Sequence, residues 1–206
     1  MKKSGKFLGV LLAVCMVITM NAVRAYADSS VPVTRWDNYA ATKFAGGTGT
    51  KDDPYRIENG EQLAKLAKDV SARNTHKGEY FRLEKNVDLS AHRWIPIGDF
   101  GGSSYKSFEG FLDGNCKTIS GMVVDQSKDK QSAGLFGYIS NATKGNEVGV
   151  KDLTIANAAL YVDESILADP KGFVSAGILV AGAMVNDGYK CTGVFENISV
   201  SGTITV

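Results

Sequence analysis

The sequence predicts an all-β solenoid closed at its front by one short amphipathic helix, and three observations carry that expectation. Two apolar, glycine-spaced segments alternate along the second half of the chain. Ile119-Ser120-Gly121-Met122-Val123, Ile155-Ala156-Asn157-Ala158-Ala159 and Val200-Ser201-Gly202-Thr203-Ile204 follow one template, while Ser132-Ala133-Gly134-Leu135-Phe136 returns as Ser175-Ala176-Gly177-Ile178-Leu179. A chain that writes the same two strands in turn stacks them as coils, each burying its apolar side only against the next. Polar, turn-forming insertions separate the templates, and the longest of them, Asp163 to Gly172, is expected as a loop on one side of the stack. Helical periodicity occurs once, before the repeats begin.

The first residues read as an export signal over 1–27. Lys2, Lys3 and Lys6 form its charged start, Phe7 to Met20 its apolar run and Ala25-Tyr26-Ala27 its cleavage site. The apolar run is too short to cross about 30 Å of hydrocarbon as a helix, so no membrane span is expected after cleavage. The expected location is secreted, extracellular or cell-surface. Losing Lys2, Lys3, Lys6 and Arg24 with the signal leaves acidic residues in slight excess. No basic stripe remains to neutralise phosphates, which argues against nucleic acid as a partner.

Residues 28–51 are polar and turn-rich, ending in Gly46-Gly47-Thr48-Gly49-Thr50, and are expected to pack loosely as a leader. Residues 52–107 form an N-terminal cap with the first strands. Pro54 stands where a strand starts, at the position that least needs an N–H. Asn59 with Gln62 makes a capping-box arrangement, and Leu63, Leu66, Ala67 and Val70 share one face of a helix over about 60–73. Glu61 with Lys65 and Asp69 with Arg73 are expected i,i+4 pairs. Laid across the front coil, such a helix covers its raw apolar end. Period-two alternation then predicts strands around Phe81-Leu83 and Val87-Leu89, with a bend at Lys85-Asn86. The Gly/Ser-rich stretch Asp99 to Lys106 is expected to be a loop.

The repeats occupy 108–206, beginning with Phe108-Glu109-Gly110-Phe111-Leu112 and the turn Asp113-Gly114-Asn115, whose residues tolerate positive φ. They stop at Val206 inside a strand template, as a truncated array would. An uncovered last strand invites end-to-end self-association.

Taken in order, Gly46-Gly47-Thr48-Gly49-Thr50, Pro54-Tyr55-Arg56-Ile57, Tyr80-Phe81-Arg82-Leu83, Val87-Asp88-Leu89-Ser90, Trp94-Ile95-Pro96-Ile97-Gly98, Phe111-Leu112-Asp113-Gly114-Asn115, Thr118-Ile119-Ser120-Gly121 and Gly134-Leu135-Phe136-Gly137 resemble the bacterial GLUG-motif repeat proteins. The resemblance runs from about residue 46 to the end. It implies a right-handed parallel β-helix of bacterial surface proteins, also found as a non-catalytic region of IgA-specific metallopeptidases. Cys116 stands where that family has glycine, which predicts inward burial of a small side chain. The His-Glu-x-x-His motif of the peptidases is missing, so their activity does not carry over.

No catalytic, cofactor-binding or metal residues are assigned. The only histidines are His76 and His92, expected in loops, and the last arginine is Arg93. The repeats therefore contain no histidine base for a serine or cysteine nucleophile. Paired carboxylates among Asp113, Asp125, Asp152, Asp163, Glu164, Asp169 and Glu196 are the remaining route to hydrolysis, set against the commoner role of bonding backbone amides in turns. Asp52-Asp53 and Asp163-Glu164 lack the spacing of known calcium loops. Cys116 and Cys191 are read as buried thiols or a disulfide. Trp94, Tyr105 and Tyr138 form a candidate ligand face. The expected function is a non-enzymatic extracellular module, acting as a stalk or as a surface for an extracellular protein or glycan. The alternative is a small carbohydrate-active enzyme or carbohydrate-binding domain.

Overall fold

Every strand pairing between named strands is parallel, and the repeats lie beside one another in the order they are written. The structure, a computed structural model, describes residues 31–100, 105–129, 132–141, 146–163, 175–185 and 192–206. The expected signal (1–27), most of the Asp163–Gly172 insertion and Cys191 lie outside the described residues. The strands are β1 (Tyr55–Ile57), β2 (Tyr80–Leu83), β3 (Val87–Asp88), β4 (Phe111–Ser120), β5 (Val123–Asp125), β6 (Phe136–Asn141), β7 (Glu147–Tyr161), β8 (Val180–Val185) and β9 (Thr192–Thr205). Seven make one sheet in the order β1-β2-β4-β7-β5, with β3 also on β4 and β9 on β7. A second sheet holds β6 and β8.

Register follows the templates. Ile119 pairs with Ile155 and Ile155 with Val200, so the first template superposes in three neighbouring parallel strands. The second template begins in step, Ala133 opposite Ala176, but Phe136 pairs with Val180 rather than Leu179. The second copy has gained a residue between those points. Such identical superposition keeps each apolar position over its equivalent. Phe81, Leu112 and Val150 form one fully buried row, and Val87, Ile119 and Ile155 form another. In β9 the same rows end in Phe195 and Val200, 46% and 47% exposed.

On the outward face of the large sheet, the pleat places every second residue. Arg82, Asp113, Lys151 and Glu196 are consecutive register partners there, a row of alternating sign. One row over, Tyr80, Phe111, Gly149 and Val194 are partners. Gly149 is required: a Cβ at that position would lie 1.9 Å from the Val194 carbonyl oxygen, and its φ is +151°. Gly149→Ala is therefore expected to cost about 1–3 kcal/mol by forcing β7 and β9 apart. Urea unfolding together with hydrogen exchange should show the loss concentrated in β9 amides.

The helix α1 (Gly60–Ser71) begins at Asn59, whose side-chain oxygen accepts from the Gln62 N–H at 3.0 Å. Gln62 reaches back one residue further than a capping box requires, accepting from the Glu58 N–H at 2.7 Å. Leu63, Leu66, Ala67 and Val70 are buried as expected. The ion pairing differs from the expectation. Lys65 turns toward Asp69, at 2.8 Å, because that position also sets its ammonium over the Phe44 ring.

The leader packs more tightly than its composition predicts. Its 3-10 turn, Trp36–Tyr39, buries Trp36 against α1, and the indole N–H donates to the Leu89 carbonyl at 3.0 Å. Gly60 leaves room for the ring, since a Cβ there would meet Trp36 at 2.4 Å. Arg35 bridges in parallel to Arg93, and Arg93 to Val123, which extends the rows of the large sheet into the leader. Beneath this contact lies an ion-pair cluster. Arg93 donates to Asp129 at 2.9 Å and to the Val33 carbonyl at 2.6 Å, and Arg35 adds a second pairing to Asp129 at 3.5 Å. Asp129 closes the one-turn helix α2 (Gln126–Asp129).

The expected Asp113-Gly114-Asn115 turn is a kink inside β4. Asn115 and Cys116 take positive φ (49° and 55°), while Asp113 accepts from the Asn115 N–H at 2.8 Å and the strand continues. In β7 and β9 the equivalent kinks are single residues, Asp152 and Asn197, also at positive φ. Cys116 is a free, exposed thiol, contrary to the burial expected from its place in the template. Glycine suits that place for its left-handed backbone, and the side chain put there points to solvent.

Candidate functional site

A groove lined by Tyr80, Phe111 and Val194 lies on the outward face of the large sheet. It has a volume of about 240 Å³, with Tyr80 and Phe111 on one side and Val194 on the other. The two rings are tilted neighbours, 5.7 Å between centroids. Pleating sets the rim, because residues two apart on each strand share this face. Glu147 precedes Gly149 by two and Lys151 follows it by two, while Asp113 and Glu196 are the register partners of Lys151.

The rim charges are arranged as close pairs. Lys51 lies 3.1 Å from Glu147, and the Tyr80 hydroxyl donates to the same carboxylate at 3.3 Å. Hydrogen bonding to Glu147 holds the Lys51 ammonium above its ordinary pKa. Burial, with the Glu147 charge beside it, pushes the Tyr80 phenol up as well. Lys151 lies 3.2 Å from Asp113 and 3.4 Å from Asp152, and its hydrogen bond to Asp113 raises its pKa in turn. The Asn197 amide, 2.8 Å from Asp152, holds that carboxyl below its usual range. A carboxylate held charged in this way is an acceptor, unsuited to donating a proton as a general acid. The groove thus presents an aromatic wall between acceptor-only and donor-only groups.

A second cleft, of about 360 Å³, lies between the leader and α1. His76 sits there in the loop between α1 and β2, as expected, and is buried, its Nδ1 2.5 Å from Glu79 and its Nε2 3.3 Å from Asp69. The burial follows from its backbone: φ is +53°, and Asn74 accepts from the His76 N–H at 3.2 Å, which folds the ring back against the helix. His92 is instead sandwiched at the leader, stacked on Tyr39 at 4.0 Å and bonded to Thr34 at 2.6 Å.

The aromatic residues singled out in sequence do not form one face. Trp94 is fully buried, its indole N–H donating to the Leu135 carbonyl at 3.1 Å, and belongs to the core. Tyr138 is also buried. Tyr105 is 59% exposed and stacks on Phe100 at 4.8 Å, with Tyr138 behind it at 5.7 Å. Among the carboxylates, Asp113, Asp152 and Glu196 gather around Lys151. Asp125 instead accepts from the Ser127 N–H and hydroxyl in a turn. Glu164 and Asp169 lie outside the described residues. Among the described residues no cluster of three or more His, Cys, Asp or Glu could hold a metal ion.

Tyr80, Phe111, Glu147, Lys51 and Lys151 were not anticipated as site residues. A usable signal existed, since Lys151 and Glu196 stand at the same distance before Ile155 and Val200. Asp113 is displaced from that spacing by the longer kink in β4, which hid the row.

No known family profile matches the chain, and no solved structure matches it. Two curated relatives do. One is a Gly-rich membrane protein of Evansella cellulosilytica, 30% identical over 196 residues that cover 91% of this chain and 18% of that protein. The other is halomucin of Haloquadratum walsbyi, 29% identical over 199 residues that cover 92% of this chain and 2% of that protein. Among the described residues no helix is long and apolar enough to cross a membrane. The chain spans less than a fifth of the length of either relative.

Proposed function

We propose that this chain is a non-enzymatic module of the cell envelope or its exterior, a right-handed parallel β-helix of the GLUG-motif kind that serves as a stalk or ligand-binding surface. The observation that carries the reading is the superposition of Ile119, Ile155 and Val200 in neighbouring parallel strands, the pairing that stacked coils require. Several features support it. The N-terminal residues have the pattern of an export signal. One relative is named for a membrane and the other as a mucin. Glu147, Asp113 and Asp152 are each paired with a lysine, an arrangement that favours binding over proton transfer.

The test is location. With the full chain expressed in a Gram-positive host, protease added to intact cells is expected to degrade it, or the chain is expected in the medium lacking residues 1–27. Protection from protease until the cells are lysed, with the N-terminus intact, would refute the reading.

A further inference from the structure

We infer that the groove lined by Tyr80, Phe111 and Val194 is a glycan-binding site that takes a single neutral pyranose ring. The inference rests on the reading of the chain as an external binding surface and adds a place and a ligand class to it. Size comes first. About 240 Å³ lies below the range of roughly 300–1,000 Å³ that accommodates drug-sized ligands, and suits one ring of a longer chain whose remainder runs out to solvent.

Chemistry selects the class. The Tyr80 and Phe111 rings and the Val194 side chain supply apolar surface for the C–H face of a pyranose. Around them, ammonium groups that only donate alternate with carboxylates that only accept: Lys51 with Glu147 and Lys151 with Asp113, followed by Glu196. A sugar hydroxyl donates and accepts at once, so vicinal hydroxyls match neighbouring groups of both kinds. A ligand of one net charge would meet an opposing charge beside each attractive one. The Lys51 side chain is 70% exposed, and ion pairs at such exposure are worth little, so opening this one to admit a hydroxyl is cheap.

The experiment is a titration of the purified full chain with chitotriose, cellotriose and mannotriose, followed by amide chemical shifts. Saturable shifts gathered on Tyr80, Gly149, Lys151 and Glu196 are expected with at least one of the three. Glu147→Gln and Tyr80→Phe, both close in shape to the native residues, should each weaken binding roughly tenfold, the equivalent of one lost hydrogen bond. Their spectra should otherwise match the parent. Three results would overturn the inference: no saturable shift with any sugar, shifts centred elsewhere, or affinity unchanged in both Glu147→Gln and Tyr80→Phe. Saturation of the same groove by an acidic or basic tripeptide but by no sugar would also overturn it, in favour of a peptide site. Binding is read on purified protein, so an internal location with positive titrations would remove the external reading and leave the groove standing.

Discussion

Asp129→Ala is expected to destabilise the fold by about 3–5 kcal/mol, the range for removing one partner of a buried ion pair. The Arg93 side chain is only 8% exposed and that of Asp129 only 3%, so deleting the carboxylate takes the counter-charge at 2.9 Å away from a largely buried guanidinium. Arg35 loses its second partner in the same step and keeps Asp37, whose hydrogen bond raises its pKa. The cost falls on the contact between the leader and the sheet, because Arg35 and Arg93 are also backbone neighbours there. Urea unfolding of the single variant, with Arg93→Met/Asp129→Leu beside it, separates charge from packing. The double variant should recover most of the loss, since apolar residues often replace a buried pair without penalty. A loss under about 1 kcal/mol in Asp129→Ala, the value of an exposed pair, would show that the cluster is solvated.

Trp94→Ala should cost about 3–5 kcal/mol as well, by a different route. Trp94 is among the largest side chains with no exposed surface, and its removal leaves a cavity in the core and an unpaired Leu135 carbonyl. Trp94→Phe keeps much of the volume and loses the hydrogen bond, so a smaller loss of about 1–3 kcal/mol is expected. Thermal unfolding of the two variants reads the difference. If Trp94 belonged to a ligand face, both substitutions would leave stability nearly unchanged.

The contrast between Trp94 and Tyr80 shows how far a sequence of this type can be read. Periodic features were legible because stacking repeats them. The helix over Gly60–Ser71, the break between β2 and β3, and the alignment of Ile119 with Ile155 and Val200 all follow from local pattern. Properties that depend on neighbouring strands were not. Tyr80 gains its importance from Phe111, Glu147 and Val194, far away in sequence, and Trp94 loses its apparent one because its indole is bonded to Leu135 inside the core. Polar composition was equally misleading in the leader. Trp36 is one residue among many hydrophilic ones, yet a single indole with a gap prepared at Gly60 is enough to anchor the segment. Cys116 was misjudged for a related reason: the template implies a small residue, and backbone handedness rather than space is what makes it so.

The alternating row Arg82, Asp113, Lys151 and Glu196 has a consequence for how the chain finds its native arrangement. Near-copies of one strand pose a sorting problem, since any copy can add to any other, and an intermediate that skips one conceals the error behind matching apolar residues. Joining β2 directly to β7 would set Arg82 against Lys151, and joining β4 to β9 would set Asp113 against Glu196, like charges directly opposed in both cases. Skipping a single strand is therefore penalised, while the written order places each charge beside its opposite. Four solvent-facing residues of modest individual worth therefore act together against the nearest error, the pairing that leaves one strand out.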